Sequence, residues 1–183
     1  MRTFIAIDIS DEIREVLGRI QEHLKYSGAD VKWVDNKNIH LTLKFLGEIS
    51  EEKCEEIKSL LDEVCKSIKQ FEVTIKDIGA FPKIDFPRVV WAGLENGATE
   101  SRALAERIDD ALSKIGFEKE SRPFAAHLTL GRVRSPKNKV ALKEKMAACQ
   151  VPSVKPHLIT SVTLFQSTLT PKGSIYTKLH ESH

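Results

Sequence analysis

The chain has 183 residues, 41% of them hydrophobic and 30% charged, with 9 glycines, 7 prolines and a formal net charge of +2. This balance supplies a core and excludes a disordered or collagenous chain, while so small a net charge is no argument for or against nucleic acid. No apolar run approaches the roughly 18–20 residues of a bilayer-crossing helix, so no membrane partner is expected. Asp8 interrupts the short apolar stretch at the start, and a cleaved leader is not expected either. Cys54, Cys65 and Cys149 form no C-x-x-C pair, which points away from a zinc site or disulfide framework and toward the cytoplasm.

In chain order, residues 3–9 read as a buried strand. Ser10 is an N-cap, followed by Asp11 and Glu12 in a first turn and Ile13, Val16, Leu17, Ile20 and Leu24 at helical spacing. Residues 31–34 predict a short strand and 35–38 a turn. Residues 39–46, with Leu41, Leu43 and Phe45 alternating against His40, Thr42 and Lys44, predict a half-buried strand ending at Gly47. Ser50 caps a second helix with Ile57, Leu60, Leu61, Val64 and Ile68 on its apolar face. A strand over 71–79, a loop containing Pro82 and Pro87 and a strand over 88–94 follow. The order then recurs: a helix over 99–115 stopped by Gly116, a strand over 124–133, a helix over 138–149, and strands over 156–166 and 174–180.

The two central strands both contain H-L-T-L, at 40–43 and 127–130, an offset of 87 residues that also carries Phe4 onto Trp91 and Ser50 onto Lys137. Element order survives the shift. The expected organisation is one domain over 1–183 with an internal duplication, about 1–86 and 87–183, in an α+β arrangement of two similar lobes.

Residues i and i+2 of a strand share a face, about 6.6–6.8 Å apart. His40 with Thr42, and His127 with Thr129, therefore point together, and a pseudo-two-fold axis would bring both pairs to one cleft. Two imidazoles titrating near neutrality can serve as acid and base at once, and two hydroxyls can donate to oxygens whose charge grows in the transition state. A phosphodiester with an alkoxide leaving group suits this set. A single H-x-T on a strand would pass for an ordinary hydrogen-bonded pair. The same tetrapeptide in both halves, with leucines on the buried face each time, does not. The polar faces supply hydroxyls rather than carboxylates or thiolates and no H-E-x-x-H occurs, so no metal is expected.

These motifs with their flanks, "FIAIDIS", "NIHLTLKFLGEIS" and "RPFAAHLTLGR", resemble the bacterial and archaeal RNA 2′,3′-cyclic phosphodiesterases, also called 2′-5′ RNA ligases, of the 2H phosphoesterase superfamily. The resemblance spans nearly the whole chain. It implies two pseudo-symmetric lobes, each a β-sheet flanked by helices, around a V-shaped cleft, and hydrolysis of a terminal RNA 2′,3′-cyclic phosphate to a 2′-phosphate with no cofactor. Some members also join or split 2′-5′ linkages. By this resemblance His40 is the general acid for the departing 3′ oxygen and His127 the general base for water, an order that pseudo-symmetry leaves open. Thr42 and Thr129 would hold the phosphate, and Arg132 would lie beside it. Strict alternation sends Arg132 to the other face, so that role requires a bulge near Gly131. Phe45 would pack against the terminal base, whereas alternation sets it on the core face. Lys44 points with the histidines toward phosphate. Trp33 and Arg122 are weaker candidates that packing or exposure also explains.

Residues 132–145 hold Arg132, Arg134, Lys137, Lys139, Lys143 and Lys145 against Glu144, a natural track for an RNA backbone near the second motif, though a solvated basic face reads the same way. His23, His157, His180 and His183 lack partners at motif spacing and read as surface residues. RNA ends, tRNA-like or other, are thus the expected partner, with no obligatory protein partner and nothing demanding more than a monomer. A cyclic phosphodiesterase acting on small nucleotides or ADP-ribose derivatives is the alternative within the superfamily. A non-catalytic RNA-binding module is the alternative outside it.

Overall fold

A computed structural model describes all of residues 1–183. Ten strands and four helices follow one another as β1 (Arg2–Ile7), α1 (Asp11–Lys25), β2 (Val31–Trp33), β3 (Leu41–Glu48), α2 (Glu51–Cys65), β4 (Phe71–Val73), β5 (Ile75–Lys83), β6 (Phe86–Leu94), α3 (Ala98–Ser113), β7 (His127–Val133), α4 (Lys139–Ala148), β8 (His157–Ile159), β9 (Val162–Thr170) and β10 (Gly173–Ser182). The strands form two four-stranded antiparallel sheets, ordered β10-β9-β1-β3 and β2-β7-β6-β5, and a separate β4-β8 pair. None of the helices is long and apolar enough to cross a membrane.

The two sheets match. β9-β1-β3 in one corresponds to β5-β6-β7 in the other, and β1 and β6 lie one motif offset apart. The lobes do not coincide with the two halves of the sequence, however. β9 and β10, from the second half, complete the sheet of β1 and β3, while β2 and β5 complete the sheet of β6 and β7.

Apolar periodicity decides where the helices sit. Leu17, Ile20 and Leu24 of α1, Ile57 and Leu61 of α2, Leu104, Ile108 and Leu112 of α3, and Leu142 and Met146 of α4 join one buried core with Ile5 and Ile7 of β1. Ser10 and Ser50 cap α1 and α2, their hydroxyls accepting from the amides of Ile13 and Lys53 at 3.3 and 3.1 Å. Lacking such a hydroxyl, α4 starts at Asn138 in the left-handed region (φ 53°), and the Asn138 amide ties it to the carbonyls of Ser27 and Gly28 at 3.2 Å.

The expected strands 71–79 and 156–166 are each broken, after Val73 and after Ile159, where the chain steps from the β4-β8 pair to a lobe. Thr74 makes the first break: its carbonyl accepts from Glu95 and its hydroxyl from the Asn96 amide, so backbone pairing moves aside. The expected loop around Pro82 and Pro87 is a β5–β6 hairpin instead. Both prolines are tolerated because they face each other at its end, with β5 at the sheet edge and Pro87 beyond the last residue that pairs with β7.

Candidate active site

His127 opens β7 and His40 directly precedes β3, and these strands run close together where the lobes meet. Both imidazoles are held in the same way. Nδ1 of His40 lies 2.5 Å from the Asn38 carbonyl and Nδ1 of His127 lies 2.6 Å from the Ala125 carbonyl, each two residues upstream. A carbonyl can only accept, so Nδ1 carries the proton and Nε2 is left free to take or give one. Aromatic side chains fix the ring planes. Phe4 stacks on His40 at 4.7 Å with Tyr176 edge-on at 5.2 Å, and Phe81 meets His127 edge-on at 4.9 Å.

These surroundings lower both pKa values. Burial is the main cause and brings His40 down to about 4, with Arg14 adding to it and the Asn38 carbonyl and Asp8 opposing. Burial also lowers His127, with Arg132 adding to it and the Ala125 carbonyl opposing. In the open site both rings are therefore neutral at pH 7.

Matching bulges set the remaining side chains. Along β3 the partners of Ala6 and Ile5 are Thr42 and Lys44, so Leu43 is the extra residue. Along β7 the partners of Trp91 and Val90 are Thr129 and Gly131, so Leu130 is extra, at the equivalent position. A bulge reverses the alternation beyond it. Phe45 leaves the core face it was expected to share with Leu41 and Leu43 and is 61% exposed. Arg132 turns to the face of His127 and Thr129 through this second bulge, next to Gly131. The Gln21 amide steadies this second bulge with bonds to the carbonyls of Leu130 at 2.9 Å and Val34 at 2.8 Å.

Lys44 lines the same cleft as Thr42, but its ammonium is drawn into ion pairs at the wall. Its ammonium, 5% exposed, sits 2.6 Å from Asp109, 3.0 Å from Glu120 and 2.8 Å from the Glu118 carbonyl. Burial alone would lower it, but these carboxylates outweigh burial and hold it above the usual lysine range. It clamps the segment after α3 to β3 and is not free for phosphate.

Thr42, Phe45, His127, Thr129 and Arg132 line one cleft of about 580 Å³, with Arg122 on its wall. His40 lines a neighbouring cavity with Tyr176, Phe165, Asp8, Arg14 and Lys178. Trp33 is not in the cleft; it packs over Gly131, where an added Cβ would lie 2.9 Å from its ring. No three His, Cys, Asp or Glu side chains converge as a metal site would require. The aromatic support of His40 and the Lys44 clamp were not foreseen. Only the placement of Phe4 and Ala6 on one face of β1, opposite Ile5 and Ile7, could have signalled the former. His180, expected as an unpartnered surface residue, sets Nε2 2.7 Å from Asp62.

A family described as LigT like phosphoesterase matches this chain twice, over residues 7–91 and 94–176. The chain belongs to the LigT-like phosphoesterases, within the 2H phosphoesterase superfamily. It is 38% identical over 179 residues to the RNA 2′,3′-cyclic phosphodiesterase of Methanothermobacter thermautotrophicus, covering 98% of this chain and 96% of that one. It is 39% identical to the enzyme of the same name from Methanocaldococcus jannaschii, covering 99% of each. Among solved structures, TT0787 of Thermus thermophilus superposes with a TM-score of 0.81 at 29% identity, covering 100% of this chain and 97% of that one. E. coli LigT complexed with 3′-AMP superposes with a TM-score of 0.78 at 28% identity, covering 98% and 95%. In this LigT-like phosphoesterase each family match contains one H-x-T motif and its bulge.

Proposed function

We propose that the protein hydrolyses the 2′,3′-cyclic phosphate end of RNA to a 2′-phosphate by paired histidine acid–base catalysis. The observation that carries this reading is the matched tethering of His40 and His127, Nδ1 to a carbonyl and Nε2 free, with Thr42, Thr129 and Arg132 lining the cleft of His127. The names of the relatives support the substrate class.

In the forward step His127 Nε2 takes a proton from water as the water oxygen bonds to phosphorus. The P–O3′ bond breaks, and His40 Nε2 delivers its proton to the departing 3′ oxygen. Thr42 and Thr129 donate to the non-bridging oxygens, Arg132 balances their charge, and Phe45 lies against the terminal base. The order of the histidines is taken from the family resemblance. Asp8 favours the charged form of His40 and Arg14 opposes it, while Arg132 disfavours the charged form of His127. Burial holds His40 neutral in the open site, and the arriving phosphate anion supplies the charge that restores its proton. With an RNA 5′-hydroxyl in place of water, the same transfers make a 2′-5′ linkage, and run backwards they split one. A duplicated half-chain, about 1–86 and 87–183, accounts for both the doubled tether and the doubled bulge.

The test is incubation with an RNA ending in a 2′,3′-cyclic phosphate, EDTA present, and identification of the product. A 2′-phosphate is expected. A 3′-phosphate would reverse the leaving group, and no product would end the reading. His40→Ala and His127→Ala should each lose roughly 10²–10⁴-fold in kcat.

A further inference from the structure

Beyond His127 the cleft continues into a trough of about 1210 Å³ that this chemistry leaves unused. The β5–β6 hairpin forms its floor. Four cations reach it, Arg88, Arg122, Arg134 and Lys139, and no carboxylate lines it. Only Arg134 among them is ion-paired, to Asp30 at 2.9 Å, while Asp85 in the hairpin turn is taken up by Lys143. At the rim Phe86 is 58% exposed, and the ammonium groups of Lys83 and Lys139 lie 5.1 and 5.0 Å from its ring centre. An exposed aromatic among unpaired cations is the pattern of a single-strand groove, where bases stack and phosphates follow the charge.

The trough is continuous with the catalytic residues. Arg122 and Ala125 line both spaces. Ala125 provides the carbonyl that holds His127, and Phe81, on the trough floor, packs against the same ring. The other direction suits a polyanion less, because the cations of the cavity beside His40, Arg14, Lys37 and Lys178, are all ion-paired, to Asp8, Asp11 and Asp35.

We infer that the single-stranded RNA leading to the terminal cyclic phosphate lies in this trough, its phosphates against Arg88, Arg122 and Lys139 and one base on Phe86. The inference rests on the proposed RNA-end hydrolysis and names where the rest of the substrate binds. A base stacked on Phe86 displaces a lysine from the ring, which is favourable because base stacking outweighs an exposed cation–π contact and the freed ammonium meets a phosphate.

The test compares kcat/KM for a 2′,3′-cyclic mononucleotide with that for a short single-stranded RNA ending in the same nucleotide. The wild-type protein should favour the RNA by roughly tenfold or more, an advantage that weakens between roughly 50 and 200 mM salt. Phe86→Ala should cut that ratio about fivefold and Phe86→Trp should keep it, since only a stacking role is rescued by another aromatic. Lys139→Ala should lower the ratio and flatten its salt dependence. An equal ratio in wild type and Phe86→Ala, or a loss in Phe86→Trp as large as in Phe86→Ala, overturns the inference. Wild-type turnover of the mononucleotide as fast as of the RNA overturns the trough alone. Turnover of neither substrate overturns the hydrolysis reading with it.

Discussion

An imidazole proposed to deliver a proton is an odd group to bury, yet His40 is packed against Phe4 and Tyr176 and held near pKa 4. The consequence is a pH profile. In the proposed mechanism the productive free enzyme carries a proton on His40 and none on His127. Its population rises as pH climbs through the pKa of one ring and falls as pH climbs through that of the other. Both pKa values lie below 6.5, so kcat/KM should peak on the acid side of 6.5 and fall about tenfold per pH unit above it. The bound anion raises both pKa values, so kcat alone should hold up to higher pH. A kcat/KM that climbs between pH 6.5 and 8 would contradict the assignment. At this scale the sequence was legible. Nothing about finding His40, Thr42, His127 and Thr129 needed coordinates, because alternation and repetition mark them. Their pKa values were not, because the rings that bury His40 come from β1 and β10, far away in the chain.

The bulges act one level up, on whole strands. Period-2 reading placed every residue of β3 up to Leu43 on its proper face and the next two, Lys44 and Phe45, on the wrong face, since an extra residue leaves no mark on composition. Gly131 was the one visible hint: an added Cβ there would meet Val31 at 2.6 Å and the Lys32 carbonyl at 3.3 Å, so only glycine lets β2 lie against the second bulge. Gly131→Ala should push β2 away, disturb the aim of Arg132 and lower kcat while leaving a folded protein, which kinetics beside circular dichroism would show. A kcat equal to wild type would mean that the bulge tolerates a side chain. In the first half the equivalent position is Lys44, and there the room goes to a buried cation. Lys44→Ala leaves Asp109 without its partner, and removing one member of a buried pair costs about 3–5 kcal/mol. Because Glu120 is 59% exposed and can relax into water, the lower end, about 3 kcal/mol, is expected from denaturant unfolding. Lys44→Met, which keeps the volume, leaves the same carboxylate unpaired, so it should recover only the packing share. Full recovery would show that the ion pair contributes nothing.

At the scale of the molecule, the exchange of strands decides how the lobes can come apart. The doubled motif was legible and the exchange of strands was not, because the motif offset is the same whether each half builds its own sheet or lends a strand to the other. β1 lies between β3 from its own half and β9 from the other, and β6 lies between β7 and the lent β5. Neither sheet can lose its foreign strand without exposing both an edge and the apolar face beneath it, so unfolding one lobe strips the other. The chain also carries its own way of checking this. Both tryptophans, Trp33 on β2 and Trp91 on β6, report on a single sheet, whereas far-ultraviolet circular dichroism reports on all four helices. Denaturant curves followed by the two signals should superpose, with one midpoint and one slope. Two independent lobes would instead let tryptophan fluorescence change while part of the helical signal remains, and such a lag would show that the shared strands do not couple the halves of the cleft.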